Sequence, residues 1–395
     1  MDKMKPTLAK AAPPSVEHAF RLLSSIYETA AHSLFDVAGR LVSAGLSSLH
    51  LDNIHEFLAG MKAGESSDSN INEREPPKPI YPEVATGDAP YSFSEAKLRG
   101  AIHIPKEFRY GADGAPQPVL LVGGTGNSGY VTYAGSFIPL LQNPETAFAD
   151  PVWLNIPGYS LDNIQTNAEF VAYAIHYLSS ICSRRISVFG YSQGNLDAQW
   201  AYKYWPSVRQ HVANHVAFSP GYHGTKITNL LAMVPQPPAW LQSTYNSELV
   251  KTMRSNGGDS AYVPTTIIYS STDQVVQPQV GDGASSPLKD EHGAGVSNVM
   301  VQQVCPGKRA GGFYTHEGIM LHPLAYALAK DAVLNGGPGQ VSRLDLEDIW
   351  NNYLAPTLTL EHFVLTENSA VFAAAVTLLY HGKSWSEPKI QSYAT

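Results

Sequence analysis

One pentapeptide constrains this chain more than any other feature: Gly190-Tyr191-Ser192-Gln193-Gly194. It follows a predicted strand at 185–190 and precedes a predicted helix at 196–204. A serine between two glycines at such a point indicates a sharp strand-to-helix turn, because only small flanking residues let the two elements approach closely. The pentapeptide pattern also arises by chance in long chains. A glycine-rich turn that holds a purely structural serine is therefore the alternative interpretation.

Short apolar runs alternate with helical stretches over much of the chain. The predicted strands are 118–123, 152–156, 185–190, 215–218, 265–269 and 299–304. A long helix is predicted over 161–181, between the second and third strands. Strands that alternate with helices favour an α/β fold, in which helices cover both faces of a mostly parallel central sheet.

Composition and charge exclude several classes of function. The 395 residues include 26 Lys and Arg and 34 Asp and Glu, which gives a net charge of −8. This balance argues against nucleic acid as a partner and against a polybasic membrane anchor. The longest apolar stretch near the C-terminus, 370–380, is too short for a bilayer span of roughly 20 residues. The sequence thus predicts no integral membrane segment, while transient contact with a lipid interface stays open.

The chain divides into three predicted parts. Residues 1–64 form a helical N-terminal segment, with a second short helix after Asp52. The segment has an apolar stripe at helical spacing, formed by Val16, Phe20, Leu23, Tyr27, Ala30 and Leu34. Residues 65–89 have the polar, proline-rich composition of a linker, and 90–395 form the catalytic domain. The N-terminal segment is interpreted as a lid or pro-region, or equally as a structural cap.

A serine nucleophile needs a histidine base that a carboxylate orients. In folds of this kind the chain order is serine, then acid, then histidine, each after a strand. Asp273 follows the fifth predicted strand, and His316 follows the sixth. His292 and His322 compete for the role of base on chain order alone. His292 is interpreted as a surface residue of a polar loop, and His322 as a structural residue in a helix.

Negative charge that develops on the substrate needs hydrogen-bond donors. The backbone N–H of Gln193, directly after the serine, is one predicted donor. The other is Thr125, through its amide and its hydroxyl, in the glycine-rich loop after the first predicted strand.

The same loop offers a rival interpretation, because Gly124-x-Gly126-x-x-Gly129 matches the fingerprint of a dinucleotide-binding oxidoreductase. That fingerprint requires an acidic residue at the end of the next strand, where this chain has Asn155-Ile156-Pro157. A catalytically silent binding module is a third hypothesis, against which the ordered Ser192, Asp273 and His316 speak.

The two cysteines, Cys182 and Cys305, exclude a disulfide scaffold and are predicted to be free buried thiols. No metal site is expected, because His211 and His215 lack a nearby third ligand. The chain shows neither a signal peptide nor a glycosylation sequon, so a secreted enzyme without its signal and an intracellular enzyme are both open. The oligomeric state is not predicted.

Several segments together resemble the Candida antarctica lipase B family of fungal lipases. The resemblance covers about 90–395 and is most specific around Asp273. It rests on Val122-Gly123-Gly124-Thr125-Gly126, Tyr191-Ser192-Gln193-Gly194, Ser271-Thr272-Asp273-Gln274-Val275-Val276-Gln277-Pro278-Gln279, Val263-Pro264-Thr265-Thr266, Glu387-Pro388-Lys389 and the pair His316 and Gly318.

The resemblance implies an α/β-hydrolase fold and a serine hydrolase, a lipase or esterase that acts on lipophilic carboxylic esters. Hydrolysis or acyl transfer would proceed through an acyl-enzyme. Ser192, Asp273 and His316 would be the triad, Thr125 and Gln193 the oxyanion donors, and no cofactor would be needed.

The chain also departs from the family pattern. Tyr191 stands where the family has a tryptophan in the alcohol pocket, and Gly221 where it has an aspartate in the acyl pocket. Gln242 matches a polar pocket residue, so Gly124, Tyr191, Gly221 and Gln242 are expected around the substrate. Only Cys305 falls at a position of the family's three disulfides. The N-terminal helices have no counterpart in the compact yeast enzyme of this family. Because of these departures, the family's preference for particular acyl and alcohol groups does not carry over to this chain.

Overall fold

The computed structural model describes residues 13–47, 64–227 and 234–395. Seven strands in these residues form one sheet: β1 (Ile102–His103), β2 (Gln117–Val122), β3 (Ala149–Leu154), β4 (Ile186–Tyr191), β5 (Val212–Phe218), β6 (Thr265–Tyr269) and β7 (Val296–Met300). The described helices are α1 (Val16–Ile26), α2 (Leu34–Ser43), α3 (Glu95–Gly100), α4 (Gly129–Tyr133), α5 (Phe137–Gln142), α6 (Ile164–Cys182), α7 (Gln193–Tyr204), α8 (Pro238–Gln242), α9 (Glu248–Arg254), α10 (Val301–Val304), α11 (Pro323–Asn335), α12 (Leu346–Trp350) and α13 (Leu360–Leu379). Short 3₁₀ turns occur at Pro157–Ser160, Pro206–His211, Arg309–Gly311, Gly318–Leu321, Val341–Arg343 and Ser392–Ala394.

The sheet has the strand order β1-β3-β2-β4-β5-β6-β7. Only β1 runs antiparallel to its neighbour, and all other pairs are parallel. The carboxyl ends of β2, β4, β5, β6 and β7 therefore meet at one edge of the sheet, where open α/β sheets bind their ligands. This confirms the predicted α/β-hydrolase fold with its mostly parallel sheet.

Alternate residues of the central strands point into two separate cores. Val119, Leu121 and Phe189 belong to the core on one face of the sheet. Leu120, Val122 and Val188 belong to the core on the other face, together with α6 and α7. Because both faces are covered, these strands appear in the sequence as unbroken apolar runs rather than as alternating patterns.

The apolar stripe of the N-terminal segment is divided between two helices, α1 and α2. Ser33 caps α2 by accepting a hydrogen bond from the N–H of Asp36, and the guanidinium of Arg40 donates to carbonyls of Ile26 and Thr29 near the end of α1. These contacts satisfy backbone groups that a helix end leaves unpaired. The further helix predicted after Asp52 lies outside the described residues.

Residues 64–94 contain no helix or strand, and their backbone contacts the sheet. The carbonyl of Glu65 accepts hydrogen bonds from Trp153 Nε1 at 2.7 Å and from Asn155 Nδ2 at 2.8 Å. The hydroxyls of Ser66 and Ser128 are 2.8 Å apart. The segment predicted as a linker is thus held along the edge strands, and the three-part division of the chain stays a prediction.

The last strand differs from its predicted position. A strand was expected over 299–304, but β7 ends at Met300 and the next four residues form the helical turn α10. β7 begins instead with Val296, Ser297 and Asn298, which are partly or fully exposed because β7 has only one neighbour, β6. The two-residue strand β1 was not predicted.

The helix α13 is long and apolar enough to cross a membrane by length and composition alone. Of its most apolar 18-residue window, 78% is buried inside the protein, which is also what the core helix of a globular domain shows. The helix packs in the same core as Phe20 of α1 and Leu41 of α2. It therefore gives only weak evidence for a membrane span.

Both cysteines, Cys182 and Cys305, are free and buried, as predicted. Burial raises the pKa of Cys182 to about 12 and that of Cys305 to about 11. Both thiols are therefore neutral and poorly reactive near neutral pH.

Candidate active site

Ser192 lies in a strained turn between β4 and α7. Its backbone has φ 50° and ψ −122°, a left-handed φ that costs a non-glycine residue about 1–3 kcal/mol. The flanking glycines are required by close packing. A Cβ on Gly190 would lie 2.3 Å from Oδ1 of Asn195, and one on Gly194 would lie 2.6 Å from the carbonyl oxygen of Gly123. The predicted sharp turn is thus present at this position.

Backbone hydrogen bonds hold this turn in place. The N–H of Ser192 donates to the carbonyl of Phe218 at the end of β5, at 3.0 Å. The side-chain amide of Asn195 donates to the carbonyl of Ser192 at 3.0 Å, and its Oδ1 lies 2.9 Å from Nε2 of His215. The serine side chain is therefore projected from the sheet edge by a rigid frame.

His316 connects Ser192 to Asp273. Nε2 of His316 lies 2.8 Å from Oγ of Ser192, and Nδ1 lies 2.7 Å from Oδ2 of Asp273. All three come from loops at the carboxyl edge of the sheet, after β4, β6 and β7. The structure brings these three predicted residues together, and the contacts form an unbroken chain from hydroxyl to carboxylate.

The carboxylate of Asp273 is locked by the backbone. Its Oδ1 accepts hydrogen bonds from the N–H groups of Val275 and Val276 at 2.8 Å and 2.7 Å. Burial alone would lower the pKa of His316, but the charge of Asp273 and its hydrogen bond raise it above its ordinary value. A carboxylate placed in this way stabilises the imidazolium form and selects the tautomer with the free Nε2 lone pair.

Ser192 and His316 open into a narrow cavity. Its apolar wall is built from Leu34, Leu196, Trp240, Val275, Val276, Ala370 and Ala373. Leu34 belongs to the N-terminal helix α2, and the two alanines belong to α13. Polar side chains also line the cavity, among them Asn127, Thr225 and Ser243. An apolar cleft with a few convergent polar groups is typical of a binding site for an apolar small molecule.

Thr125 and Gln193 line the same cavity beside Ser192. The hydroxyl of Thr125 donates to Oε1 of Gln193 at 2.5 Å, and Nε2 of Gln193 donates to the carbonyl of Ser160 at 2.9 Å. These bonds fix both residues next to the serine. In this arrangement the Thr125 hydroxyl is engaged by the Gln193 side chain.

The four residues expected around the substrate occupy different places. Tyr191 and Gly221 line the cavity, and the ring of Tyr191 lies 4.9 Å from that of His316. Gly124 lies behind them, because a Cβ there would meet the Tyr191 ring at 2.9 Å. Gln242 does not line the described cavity, contrary to expectation. Its amide instead accepts from the N–H of Ile164 and donates to Asn163, at the start of α6.

The two competing histidines are bonded elsewhere. His292 is exposed, stacks on Tyr262 and lies 2.9 Å from the carbonyl of Gly257. His322 is buried, accepts from the N–H of Leu324 and donates to the carbonyl of Ala310. Burial lowers the pKa of His322 to about 4. The contacts of His292 are those of a surface residue, and the contacts of His322 are those of a residue that caps a helix.

Packing accounts for the glycines of the dinucleotide-like loop. A Cβ on Gly126 would lie 2.7 Å from that of Ala373, and one on Gly129 would lie 2.6 Å from the carbonyl oxygen of Leu154. The space above this loop is filled by α13, and α4 has only five residues. The oxidoreductase interpretation is not favoured. Among residues 13–47, 64–227 and 234–395, no group of three or more His, Cys, Asp and Glu could hold a metal ion.

Sequence reasoning missed three polar residues next to this site. Glu317 directly follows His316 and lines the cavity, and Gln274 directly follows Asp273. Glu367 is fully buried on α13. The sequence does contain two signals of these residues: Glu317 stands directly beside the candidate base, and Glu367 lies within an apolar helix.

Taken together, a mostly parallel sheet and a serine that is linked through a histidine to an aspartate at its carboxyl edge define the chain as an α/β-hydrolase. No family model matches the chain. The chain is similar to Lipase B of Pseudozyma antarctica, with 34% identity over 284 residues that cover 70% of this chain and 79% of that protein. It is also similar to the crystal structure of Aspergillus fumigatus lipase B, with 43% identity, a TM-score of 0.91, and coverage of 98% of this chain and 92% of that one.

The chain belongs to the lipase B family, and it is a serine hydrolase of carboxylic esters. This confirms the resemblance seen in the sequence. Both of these relatives are fungal lipases. The similarity to the Aspergillus fumigatus structure covers nearly the whole chain.

Proposed function

We propose that Ser192, His316 and Asp273 are the catalytic triad of this hydrolase and that the enzyme acts on lipophilic carboxylic esters. The observation that carries the proposal is the hydrogen-bond chain from Ser192 Oγ through both ring nitrogens of His316 to Asp273, with distances of 2.8 Å and 2.7 Å. This geometry satisfies the requirement that a base lies within reach of the proton it removes.

In the first half of the reaction, Ser192 Oγ attacks the ester carbonyl carbon as His316 Nε2 takes the hydroxyl proton. The new C–O bond forms, and the carbonyl electron pair moves onto oxygen. When the tetrahedral intermediate collapses, the ester C–O bond breaks and His316 passes its proton to the leaving alcohol. Asp273 holds the ring and stabilises the imidazolium.

In the second half, a water molecule attacks the acyl-enzyme and His316 takes one of its protons. The bond between the acyl carbon and Ser192 Oγ then breaks, and the proton returns to the serine. An alcohol that replaces this water would receive the acyl group instead, so the same residues support acyl transfer. No cofactor enters either half.

We assign the oxyanion donors to the backbone N–H of Gln193 and to Thr125. Gln193 is the first residue of α7, where backbone N–H groups have no partner within the helix. Thr125 lines the cavity from the loop after β2. For its hydroxyl to serve the oxyanion, the hydrogen bond to Gln193 Oε1 must be exchanged when substrate binds.

The lipophilic character of the substrate follows from the cavity wall. Leucine, valine, alanine and tryptophan side chains line the cavity, so acyl or alcohol carbon chains bury apolar surface there. The gain is about 25 cal/mol for each Å² removed from water. Leu34 brings the N-terminal segment into this wall, which supports a role of that segment as a cap or lid over the site.

Three exposed apolar side chains support transient contact with a lipid interface. Trp385, Leu378 and Val234 are 72%, 55% and 53% exposed. Paired backbone hydrogen bonds between Gln236 and Ser384 bring the segments of Val234 and Trp385 together. Leu378 lies on α13, the helix that lines the cavity. Tryptophan is favoured where one side of a ring meets lipid and the other meets water.

The proposal is tested with a panel of p-nitrophenyl esters of increasing acyl length. We expect Ser192→Ala and His316→Ala to abolish turnover on every ester, because each removes a reacting group. His292→Ala is the matched control and keeps nearly full activity, since its imidazole contacts Gly257 and Tyr262 on the surface. An active Ser192→Ala variant, or equal losses in both histidine variants, would refute the assignment.

A further inference from the structure

Glu317 is a buried carboxyl group that the triad chemistry does not use. It follows His316 directly, lines the same cavity as Ser192, and is 3% exposed. Its Oε2 accepts a hydrogen bond from Nε2 of Gln274 at 2.9 Å. A charge placed in an apolar site is costly unless it is paired or neutralised, so its presence requires a physical reason.

A second buried carboxyl group, Glu367, approaches from α13. Its Oε1 accepts a hydrogen bond from the hydroxyl of Thr315 at 2.6 Å, and a Cβ on Gly318 would lie 3.5 Å from the same oxygen. Glu367 therefore packs against the loop that carries both His316 and Glu317. Its other oxygen, Oε2, is buried without a hydrogen-bond partner. A protonated carboxyl group would turn this oxygen into a donor.

Repulsion among the buried acids around His316 favours the retention of a proton by one of them. Asp273, Glu317 and Glu367 supply three carboxyl groups, and His316 is the cation that faces them. Tyr27 and Tyr191 also face them, but burial raises the pKa of both phenols so that they stay neutral. Arg40 lies over the ring of Tyr27, and His32 and Lys226 line a separate cavity on the other side of Asp273.

The proton belongs on Glu367. Burial, followed by the charge of Glu317, raises the pKa of Glu367 well above its ordinary value. Burial raises the pKa of Glu317 too, but the neighbouring His316 and the hydrogen bond from Gln274 favour its ionised form. Gln274 also accepts from the backbone N–H of His316 at 2.7 Å, which fixes Glu317 relative to the base.

We propose that Glu367 keeps its proton while Glu317 is ionised, and that the negative charge on Glu317 stabilises the imidazolium form of His316 during catalysis. The inference rests on the triad proposed above. Glu317 is a positioning residue here, since it acts through His316 and forms no bond to reacting atoms. Fixed charges in a site that excludes water act more strongly than the same charges in solution.

The test is the pH dependence of kcat/KM on a soluble short-chain p-nitrophenyl ester. We expect Glu317→Gln to lower the acid-side kinetic pKa by about half a unit or more, because a negative charge near the imidazole is lost. Glu367→Gln should leave that pKa within about 0.2 unit of the unaltered enzyme, because a neutral amide replaces a neutral carboxyl group. Glu169→Gln is the control, a buried carboxyl that bonds to Ser92.

An unchanged kinetic pKa in Glu317→Gln would overturn the inference, and so would equal shifts in both variants. If Glu317→Gln does not fold, infrared spectroscopy of the unaltered enzyme and of Glu367→Gln tests the protonation of Glu367. The unaltered enzyme should show stronger protonated-carboxyl absorption near neutral pH than Glu367→Gln, with Asp197 contributing equally to both, and equal spectra would overturn the inference. The triad is judged separately, because an active Ser192→Ala variant would refute the proposed function whatever the glutamate variants show.

Discussion

Phe20 offers a direct test of whether the N-terminal helices are an integral cap or a detachable lid. Its side chain on α1 is 6% exposed and contacts three aromatic rings. The ring centroids lie 4.9 Å from Tyr314, 5.0 Å from Tyr353 and 5.2 Å from Phe363. Tyr314 is two residues before His316, so this cluster supports the loop that holds the candidate base.

Replacing Phe20 with alanine should lower the free energy of unfolding by about 3–5 kcal/mol, the usual cost of removing a buried phenylalanine. Whole domains are stable by only about 5–15 kcal/mol, so such a loss is large. Urea unfolding followed by tryptophan fluorescence measures it as a lower midpoint at unchanged slope. Val42→Ala on α2 is the control, because Val42 is 47% exposed and its loss should cost about 0.5 kcal/mol or less.

A large loss in Phe20→Ala would show that α1 is part of the folded core, which favours the structural cap. A loss below about 1 kcal/mol would refute this reasoning, because truncation of an integral core side chain costs more. If that small loss came with altered kinetics on long-chain but not short-chain esters, the lid interpretation would be favoured instead.

Two further predictions concern a buried acid and the exposed apolar surface. Both carboxylate oxygens of Asp197 are buried, and burial raises the pKa of this group well above its ordinary value, although the side chain of Gln193 lowers it in part. As pH rises, the unfolded chain loses this proton before the folded one does, which destabilises the fold. The gain in melting temperature from Asp197→Asn should therefore be larger at pH 8 than at pH 4. A larger gain at pH 4 would contradict this prediction. Trp385→Ala should reduce hydrolysis of a triglyceride emulsion severalfold while soluble esters are hydrolysed as before. The control, Ile71→Ala, removes another exposed apolar side chain and should change neither rate, and an equal loss in both variants would contradict a specific interface.

Local chemistry explains which parts of the fold were predictable from sequence. The turn at Ser192 needs Gly190 and Gly194 for close packing, and these constraints lie within five consecutive residues. The central strands are covered on both faces, so each appears as an apolar run. β7 was misplaced because its first half is the exposed edge-strand segment 296–298, whereas the apolar run 299–304 mostly forms the turn after it.

In the site, too, the residues marked by local sequence patterns could be predicted, whereas contacts made by tertiary packing could not. Chain order pointed to Asp273 and His316, and the structure brings His316 to Ser192 and Asp273 to His316. Glu367 contacts Thr315, 52 residues away, through packing that no local pattern encodes. Gln242 was expected near substrate, but its amide oxygen accepts a hydrogen bond from the N–H of Ile164 at the start of α6, a contact that also depends on the tertiary fold.

The central claim is that Ser192 is the nucleophile of an ester hydrolase, and covalent labelling tests it most directly. A serine-directed phosphonate ester should add one adduct per chain, and peptide mass spectrometry should place it on Ser192. Ser192→Ala should take up no label under the same conditions. An adduct on another residue, or equal labelling of Ser192→Ala, would contradict the account.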